Sequence, residues 1–312
     1  MKLSIICPCY NEEDYIVDLL EFFNTALPQD KELWLIDGGS TDKTKDIIAN
    51  YQKKHNNIQL LDNPDKIVPF ALNKAIPKCN ANMIVRLDVH TKYAPDYFEK
   101  IIETFEKVEA DIVGGPTRTA CKSPFQCAVA HVICTSFGVG NSQVHNITYE
   151  GYSDSVTFGS WKKEIFEEVG FFDTSLVRNQ DDEFHYRAKS MGKKIYQNPE
   201  IKLWYYPRDN IKGLLKQYYQ YGLYKPKVLK KVNSEIKLRH LIPSAFLLYF
   251  ISLPMAMITS LWLIPLGLYL LLDVIFSMKA KVGIVVKFLS LFAYPAIHVG
   301  YGFGFLQGLF KK

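Results

Sequence analysis

Leu33-Trp34-Leu35-Ile36-Asp37-Gly38-Gly39-Ser40-Thr41-Asp42 is an apolar strand that ends on a carboxylate and breaks into a glycine turn. The design returns at Met83-Ile84-Val85-Arg86-Leu87-Asp88-Val89-His90, and a third acidic station follows at Asn179-Gln180-Asp181-Asp182-Glu183-Phe184. In an open parallel sheet, ligands bind beyond the carboxyl ends of the strands. Carboxylates delivered there one after another suit a diphosphate handled through a divalent metal, with a separate base.

The surrounding pattern supports such a sheet. Short apolar runs occur at 3–8, 33–37, 58–62, 83–88 and 111–115, and amphipathic stretches lie between them at 14–24, 41–55, 69–78 and 95–108. In the first of these, Ile16, Leu19, Leu20 and Phe23 recur at helical spacing. This strand–helix alternation predicts an α/β fold with a Rossmann-like, mostly parallel sheet. From about 120 to 151 the pattern weakens, and Gly138, Gly140, Asn141 and Ser142 suggest a mobile connection. A compact region from 152 to 206 follows, then an aromatic-rich amphipathic helix over 210–224.

The chain has 312 residues and a net charge of +5, concentrated at one end. Residues 241–312 carry five Lys and one acid, Asp273, whereas the first 240 are nearly balanced, which argues against a nucleic-acid-binding surface. The six Cys form no CxxC pair and no zinc-type ligand run, so reduced cytosolic thiols are expected. The chain opens directly on a strand, with no signal-peptide pattern, so the N-terminal part is expected in the cytoplasm and the sequon at Asn146 unused.

Residues 241–276 hold no charge except Asp273, nearly enough for two crossings at roughly 20 residues each. Trp262 and Pro265 sit where such a hairpin would turn. The stretch 282–310, interrupted by Lys287, Pro295 and His298, reads as a third span, a re-entrant segment or an interfacial helix. The basic stretch 225–239 precedes the first span and places the N-terminal domain on the cytoplasmic side of a multi-pass cell-membrane protein. The expected division is a catalytic domain over 1–225, a basic linker over 226–240 and a membrane domain over 241–312.

Each motif has a plain and a chemical reading. In Cys7-Pro8-Cys9-Tyr10-Asn11-Glu12-Glu13, Asn11 can cap the first helix and the two Glu suit its positive end. Asp37 could accept from a nucleobase imide or a ribose hydroxyl, with Gly38 and Gly39 admitting a ligand close to the backbone, or it belongs to an ordinary turn. Arg86 inside a buried strand needs a partner. By alternation it faces the same way as Asp88 and His90, giving a cation for a diphosphate and a carboxylate–imidazole pair for a divalent metal, Mn²⁺ or Mg²⁺. Crowded acids at Asp181 and Asp182 could yield a general base.

Taken in order, these motifs resemble family 2 glycosyltransferases with the GT-A fold, in particular membrane-associated enzymes of bacterial exopolysaccharide assembly. The resemblance covers residues 1–225 well and the tail more loosely. It implies that Pro8, Tyr10, Asn11 and Glu12 form the nucleotide entrance and that Asp37 and Gly39 meet the base. Arg86, Asp88 and His90 would stand at the diphosphate and metal site, with Asp181 as catalytic base and Asp182 as the competing candidate. His90 replaces the second Asp of the family's Asp-x-Asp motif, and Gln180 the usual Glu before the catalytic Asp. The Gln-x-x-Arg-Trp signature of processive synthases is absent, which argues against a channel-forming synthase. A non-catalytic nucleotide-sugar-binding scaffold is the other reading that His90 and Gln180 motivate. Trp161, Gln217 and Tyr221 are candidate acceptor contacts. The implied partners are a nucleotide-sugar donor, probably UDP-linked, a polyprenyl-diphosphate-linked saccharide acceptor, membrane lipids and other polysaccharide assembly enzymes.

Overall fold

The computed structural model describes residues 2–140, 142–232 and 238–311. They divide into two compact units, residues 1–118 with 146–205, and residues 119–145 with 206–312.

The first unit is built on an eight-stranded sheet. Its strands are β1 (Leu3–Cys9), β2 (Lys31–Asp37), β3 (Ile58–Asp62), β4 (Met83–Arg86), β6 (Ile112–Gly114), β8 (Gly151–Tyr152), β9 (Ser160–Lys162) and β10 (Ile195–Gln197), in the order β3-β2-β1-β4-β9-β6-β10-β8. The first four run parallel. β9 is antiparallel to both β4 and β6, β10 is parallel to β6, and β8 closes the edge antiparallel. A separate antiparallel pair joins β5 (Thr91–Tyr93) to β11 (Leu203–Tyr205); β7 is the two-residue strand Arg118–Thr119.

Strand alternation sorts the apolar residues into two cores, one on each face. Ile5, Leu35, Val85 and Val113 enter one, with Leu20 and Phe23 of α1 (Ile16–Thr25) and Phe98 and Ile101 of α4 (Tyr97–Lys107). Ile6, Ile36, Ile84 and Ile112 enter the other, with Leu72 of α3 (Val68–Ala75), Phe166 of α7 (Ile165–Glu168) and Phe184 of α8 (Gln180–Ser190). Both faces are covered, as a mostly parallel sheet requires. The helix α2 (Thr44–Gln52) completes the set. The strands and helices read from the sequence over residues 3–115 are all present, with ends shifted by a few residues.

The second unit departs from the expected division. The segment read as a mobile connection holds α5 (Pro124–Ile133) and α6 (Ser136–Val139). It groups with α9 (Ile211–Lys231), α10 (Leu238–Ile251), α11 (Ile264–Met278) and α12 (Ile284–Phe310), not with the catalytic sheet. The boundary after 225 therefore falls inside α9, and Lys227, Lys230 and Lys231 of the expected linker are helical. Lys237 lies outside the described residues. Cys121 and Cys127 are joined by a disulfide, against the expectation of six reduced thiols. Ser123 caps α5, accepting from the Gln126 amide at 3.2 Å, and the turn it fixes brings the two Cys Cα atoms to 5.0 Å.

Among the described residues, two helical stretches are long and apolar enough to cross a membrane, Ser260–Met278 and Ile284–Phe310. The first crossing of the expected hairpin is not among them, because α10 stops at Ile251 and short 3₁₀ turns at Leu253–Met257 and Ser260–Leu263 follow. Residues 284–310 form one helix despite Pro295.

Its glycines explain how α12 lies against α9. A Cβ on Gly304 would stand 2.0 Å from the Tyr219 carbonyl oxygen, and one on Gly222 would stand 2.1 Å from that of Tyr301. Backbone meets backbone at both places, so no side-chain rotation relieves the clash. Gly304→Ala is therefore expected to lower unfolding stability by about 1–3 kcal/mol. Gly267→Ala, whose Cβ would meet nothing within 4 Å, is expected to be neutral or stabilising. Thermal unfolding of both variants in detergent checks the pair.

Candidate active site

Two loops leave the carboxyl ends of β1 and β2 and clasp each other. Asn11 stands in the left-handed region, φ 54°, and its Oδ1 accepts from the Thr41 amide at 2.8 Å while its own amide donates to Ser40 Oγ at 2.8 Å. The Glu12 amide donates to Thr44 Oγ1 at 2.7 Å, and the Glu13 amide to Asp42 Oδ2 at 3.1 Å. The Lys43 amide returns a bond to Glu13 Oε2 at 3.0 Å. Asn11 thus ties the two loops together and does not cap the first helix, whose N-cap position is Tyr15.

Asp37 is 0% exposed. Its carboxylate accepts from the Gly39 amide at 2.9 Å, the Ser40 amide at 3.0 Å and the Ser40 hydroxyl, and pairs with Lys45 at 3.2 Å. These bonds hold the turn, with Gly39 at φ 81°. In the absence of ligand, the Asp37 side chain is engaged by the turn that follows it. Pro8 lies inside β1, and Tyr10 is exposed at the mouth with the Lys66 ammonium over its ring.

β4 ends at Arg86, so Asp88 and His90 lie beyond the strand, 38% and 50% exposed. The His90 amide donates to Asp88 Oδ1 at 3.1 Å, and the Tyr93 hydroxyl accepts from the Asp88 amide at 2.7 Å. The His90 ring packs on Tyr15, with Nδ1 4.0 Å from Asp88 Oδ1 and Nε2 3.1 Å from Glu12 Oε2. That last contact lies off the line of a hydrogen bond, leaving Glu12 Oε2 buried without a donor. Burial, with the Asp88 and Asp42 charges added, pushes Glu12 up to about 8. Among the described residues no three His, Cys, Asp or Glu gather as a ready metal cage. The donor set nevertheless fits a divalent cation: a carboxylate, an imidazole and an orphaned carboxylate oxygen crowd together in excess negative charge. Burial holds the Cys7 and Cys9 thiols well above their ordinary range, which disfavours the thiolate.

Arg86, which alternation had placed toward the diphosphate, is instead paired. Its Nη1 lies 2.5 Å from Asp181 Oδ1 and 2.6 Å from Oδ2, with the two side chains 7% and 29% exposed. Its guanidinium also lies over the Phe158 ring, 5.4 Å from the centroid. Phe158 and Gly159 are both left-handed, at φ 58° and 75°. Asp181 is delivered by the first turn of α8, which Asn179 opens at φ 61°; Gln180 is buried and Asp182 half-buried beside it. Farther along α8, Arg187 binds Glu183 at 2.7 Å and the Phe171 carbonyl at 2.8 Å, which locks the helix to the loop before it. His185 is buried on Ser155 at 2.8 Å, and burial lowers its pKa.

Trp161, a sequence candidate for acceptor contact, is 0% exposed and packs on Phe166, Phe172 and Phe184. It is core and meets no substrate. Gln217 donates to the Tyr221 hydroxyl at 3.1 Å on α9, in the second unit. Sequence reasoning missed the partners Phe158 and Tyr15 and the Arg86–Asp181 pair; only the cost of a buried arginine hinted at the last.

Comparison with known proteins agrees with this architecture. The description Glycosyl transferase family 2 matches residues 4–170. A Methanococcus voltae protein, dolichyl N-acetyl-alpha-D-glucosaminyl phosphate 3-beta-D-2,3-diacetamido-2,3-dideoxy-beta-D-glucuronosyltransferase, is 30% identical over 99% of this chain and 97% of its own length. The succinoglycan biosynthesis protein ExoA of Rhizobium meliloti is 29% identical over 85% of this chain and 81% of its own. The solved mannosyltransferase PcManGT of Pyrobaculum calidifontis, in complex with GDP-Man and Mn²⁺, superposes with a TM-score of 0.63 at 17% identity, covering 94% of this chain and 85% of that one. The chain belongs to glycosyl transferase family 2, has the GT-A fold, and is a glycosyltransferase of polysaccharide or lipid-linked glycan biosynthesis.

Two outcomes follow. Asp37→Ala leaves buried amides unpaired and is expected to cost about 1–3 kcal/mol of stability without ligand. Tyr10→Ala, at the exposed mouth, is expected to stay within about 0.5 kcal/mol, both read by thermal unfolding. For Glu12 the folded carboxyl keeps its proton to about 8, against 4.5 for the free group. Its burial therefore lowers stability progressively as pH rises through that window. Without metal, Glu12→Gln is expected to gain on the wild type across it; parallel melting-temperature profiles for the two proteins would contradict this.

Proposed function

We propose that this enzyme moves a hexosyl group, with inversion, from a nucleoside-diphosphate sugar to a saccharide carried on a polyprenyl phosphate or diphosphate. The observation that carries the reading is the Asp181 carboxylate fixed by Arg86 beyond the strand ends, next to the cluster of Asp88, His90 and Glu12. Supporting it are the names of the relatives, one acting on a dolichyl-linked amino sugar phosphate and one in succinoglycan biosynthesis. UDP is the favoured nucleotide.

Asp181 is the general base. The acceptor hydroxyl attacks the anomeric carbon and the bond from that carbon to the diphosphate oxygen breaks. The hydroxyl proton passes to a free lone pair of Asp181, and the nucleoside diphosphate leaves with the bonding electrons. One displacement inverts the anomeric centre. Arg86 holds Asp181 oriented before attack. Asp88 and His90, with Glu12 beside them, would hold Mn²⁺ or Mg²⁺, which supplies positive charge against the leaving diphosphate. Tyr10 and the clasped loops flank the nucleotide entrance. Because Asp181 is already engaged by Arg86, Asp182 is the specific competitor for the role of base.

The exposed apolar residues of α11, including Leu268, Leu270, Leu271 and Leu272, suit contact with lipid. Lys227, Lys230 and Lys231 before α10 suit a cytoplasmic face. Anchoring on the bilayer raises the effective concentration of a lipid-linked acceptor.

The test is transfer by the detergent-solubilised protein, with a panel of UDP-hexoses, a polyprenyl-linked saccharide, and Mn²⁺, Mg²⁺ or EDTA. Turnover that needs metal is expected to fall about 10²–10⁴-fold in Asp181→Asn with donor binding retained, and to change little in Asp182→Asn. The reverse ranking moves the base to Asp182. Tight UDP binding with no turnover of any donor would overturn the reading in favour of a non-catalytic sugar-nucleotide scaffold.

A further inference from the structure

We infer a second saccharide-binding site at the opposite ends of the strands, in a groove lined by Glu32, Trp34, Asn56, Asn57, Gln59 and Asn80. Asn56, Asn57 and Asn80 lie just before β3 and β4, Glu32 and Gln59 at the second positions of β2 and β3, and Trp34 at the middle of β2. Glu32 is about 17 Å along β2 from Asp37 at the rise of an extended strand, so the groove is separate from the donor site. It is a shallow, open depression on the protein surface, not an enclosed cavity.

The chemistry of the lining points to a neutral sugar. Trp34 and Gln59 are register partners on adjacent strands and share one face of the sheet. Trp34 is half-buried, and its indole N–H is buried without an acceptor, so the part of the ring left open is carbon surface. Around it, three amides have their nitrogens engaged inside the protein. Asn57 donates to the Lys31 carbonyl at 2.9 Å, Gln59 to the Asn56 carbonyl at 3.0 Å, and Asn80 to Glu32 Oε2 at 3.0 Å. Each therefore has its side-chain oxygen left to accept. Glu32 is fixed by Ser4 Oγ at 2.5 Å and the Asn80 amide at 2.7 Å.

A flat carbon surface ringed by acceptors, with a carboxylate and no cation in the lining, suits a pyranose. The C–H face of the ring stacks on the indole and the equatorial hydroxyls donate outward. The same lining repels phosphates and nucleotides. In a chain that builds glycans, such a groove would hold a segment of acceptor or product away from the reacting end. The binding itself requires no donor and no catalysis.

The experiment uses the full chain in nanodiscs with cellotriose as the probe, followed by saturation-transfer NMR and titration with and without saturating UDP. Saturable binding is expected, with a dissociation constant on the order of 1 mM, unchanged by UDP. Trp34→Ala and Gln59→Lys are each expected to weaken it at least about tenfold while UDP affinity stays at the wild-type value. Gln59→Lys keeps the test open should Trp34→Ala fail to fold, because Gln59 lies at the partly exposed edge strand. Absence of saturable binding, displacement of cellotriose by UDP, or wild-type affinity in Gln59→Lys would overturn the proposal. Self-association that protects the groove, seen by light scattering and abolished by Gln59→Lys, would also overturn it and assign the groove to a second copy of the chain.

Discussion

The ion pair between Arg86 and Asp181 is the constraint on which the arrangement of the site depends. Arg86 ends a central strand and is almost wholly buried, a position that is costly for a lone cation. Asp181, 95 residues later, meets it with both oxygens from the first turn of α8. Two distant parts of the chain are thereby fixed to one point at the carboxyl ends of the sheet. Loss of either partner alone would strand a buried charge, a penalty of about 3–5 kcal/mol in buried pairs generally. The left-handed Phe158–Gly159 turn lets an aromatic ring face the same guanidinium, and the Arg187 bond to the Phe171 carbonyl keeps α8 from rotating the carboxylate away.

Around that pair the charges are arranged asymmetrically. Asp37 is neutralised within the protein by amides and Lys45, and so acts as scaffold for the turn. Asp88, His90 and Glu12 are left with more acceptors than donors. The protonation of Glu12 near neutral pH reports that imbalance, and a cation would relieve it. The interlocked loops at Asn11–Glu13 and Ser40–Thr44 hold this cluster in place without ligand. Preorganisation of this kind is what differential stabilisation of a developing diphosphate charge requires.

Much of the first unit was legible from periodicity. Buried strands such as Leu33–Asp37 and amphipathic helices such as Ile16–Thr25 follow from residue order alone, because each buries its apolar set on a face fixed by local geometry. The site was legible in position more than in role. A strand-end Asp looks the same whether both oxygens capture the following turn, as in Asp37, or only one accepts from it, as in Asp88. Trp161 was a candidate acceptor contact, yet three phenylalanines, Phe166, Phe172 and Phe184, enclose it. The Cys121–Cys127 disulfide was missed because six-residue spacing matches no familiar motif. The grouping of residues 119–145 with the C-terminal helices rests on contacts between distant parts of the chain, which no local pattern encodes.

The most direct test of this account is a double-mutant cycle on sugar transfer with Arg86→Gln, Asp181→Asn and the combined variant. If Arg86 acts by holding Asp181, the double variant loses little more kcat/KM than Asp181→Asn alone, because the arginine has nothing left to orient. If the two losses multiply independently, Arg86 and Asp181 do separate work, and the ion pair is not the organising contact of the site.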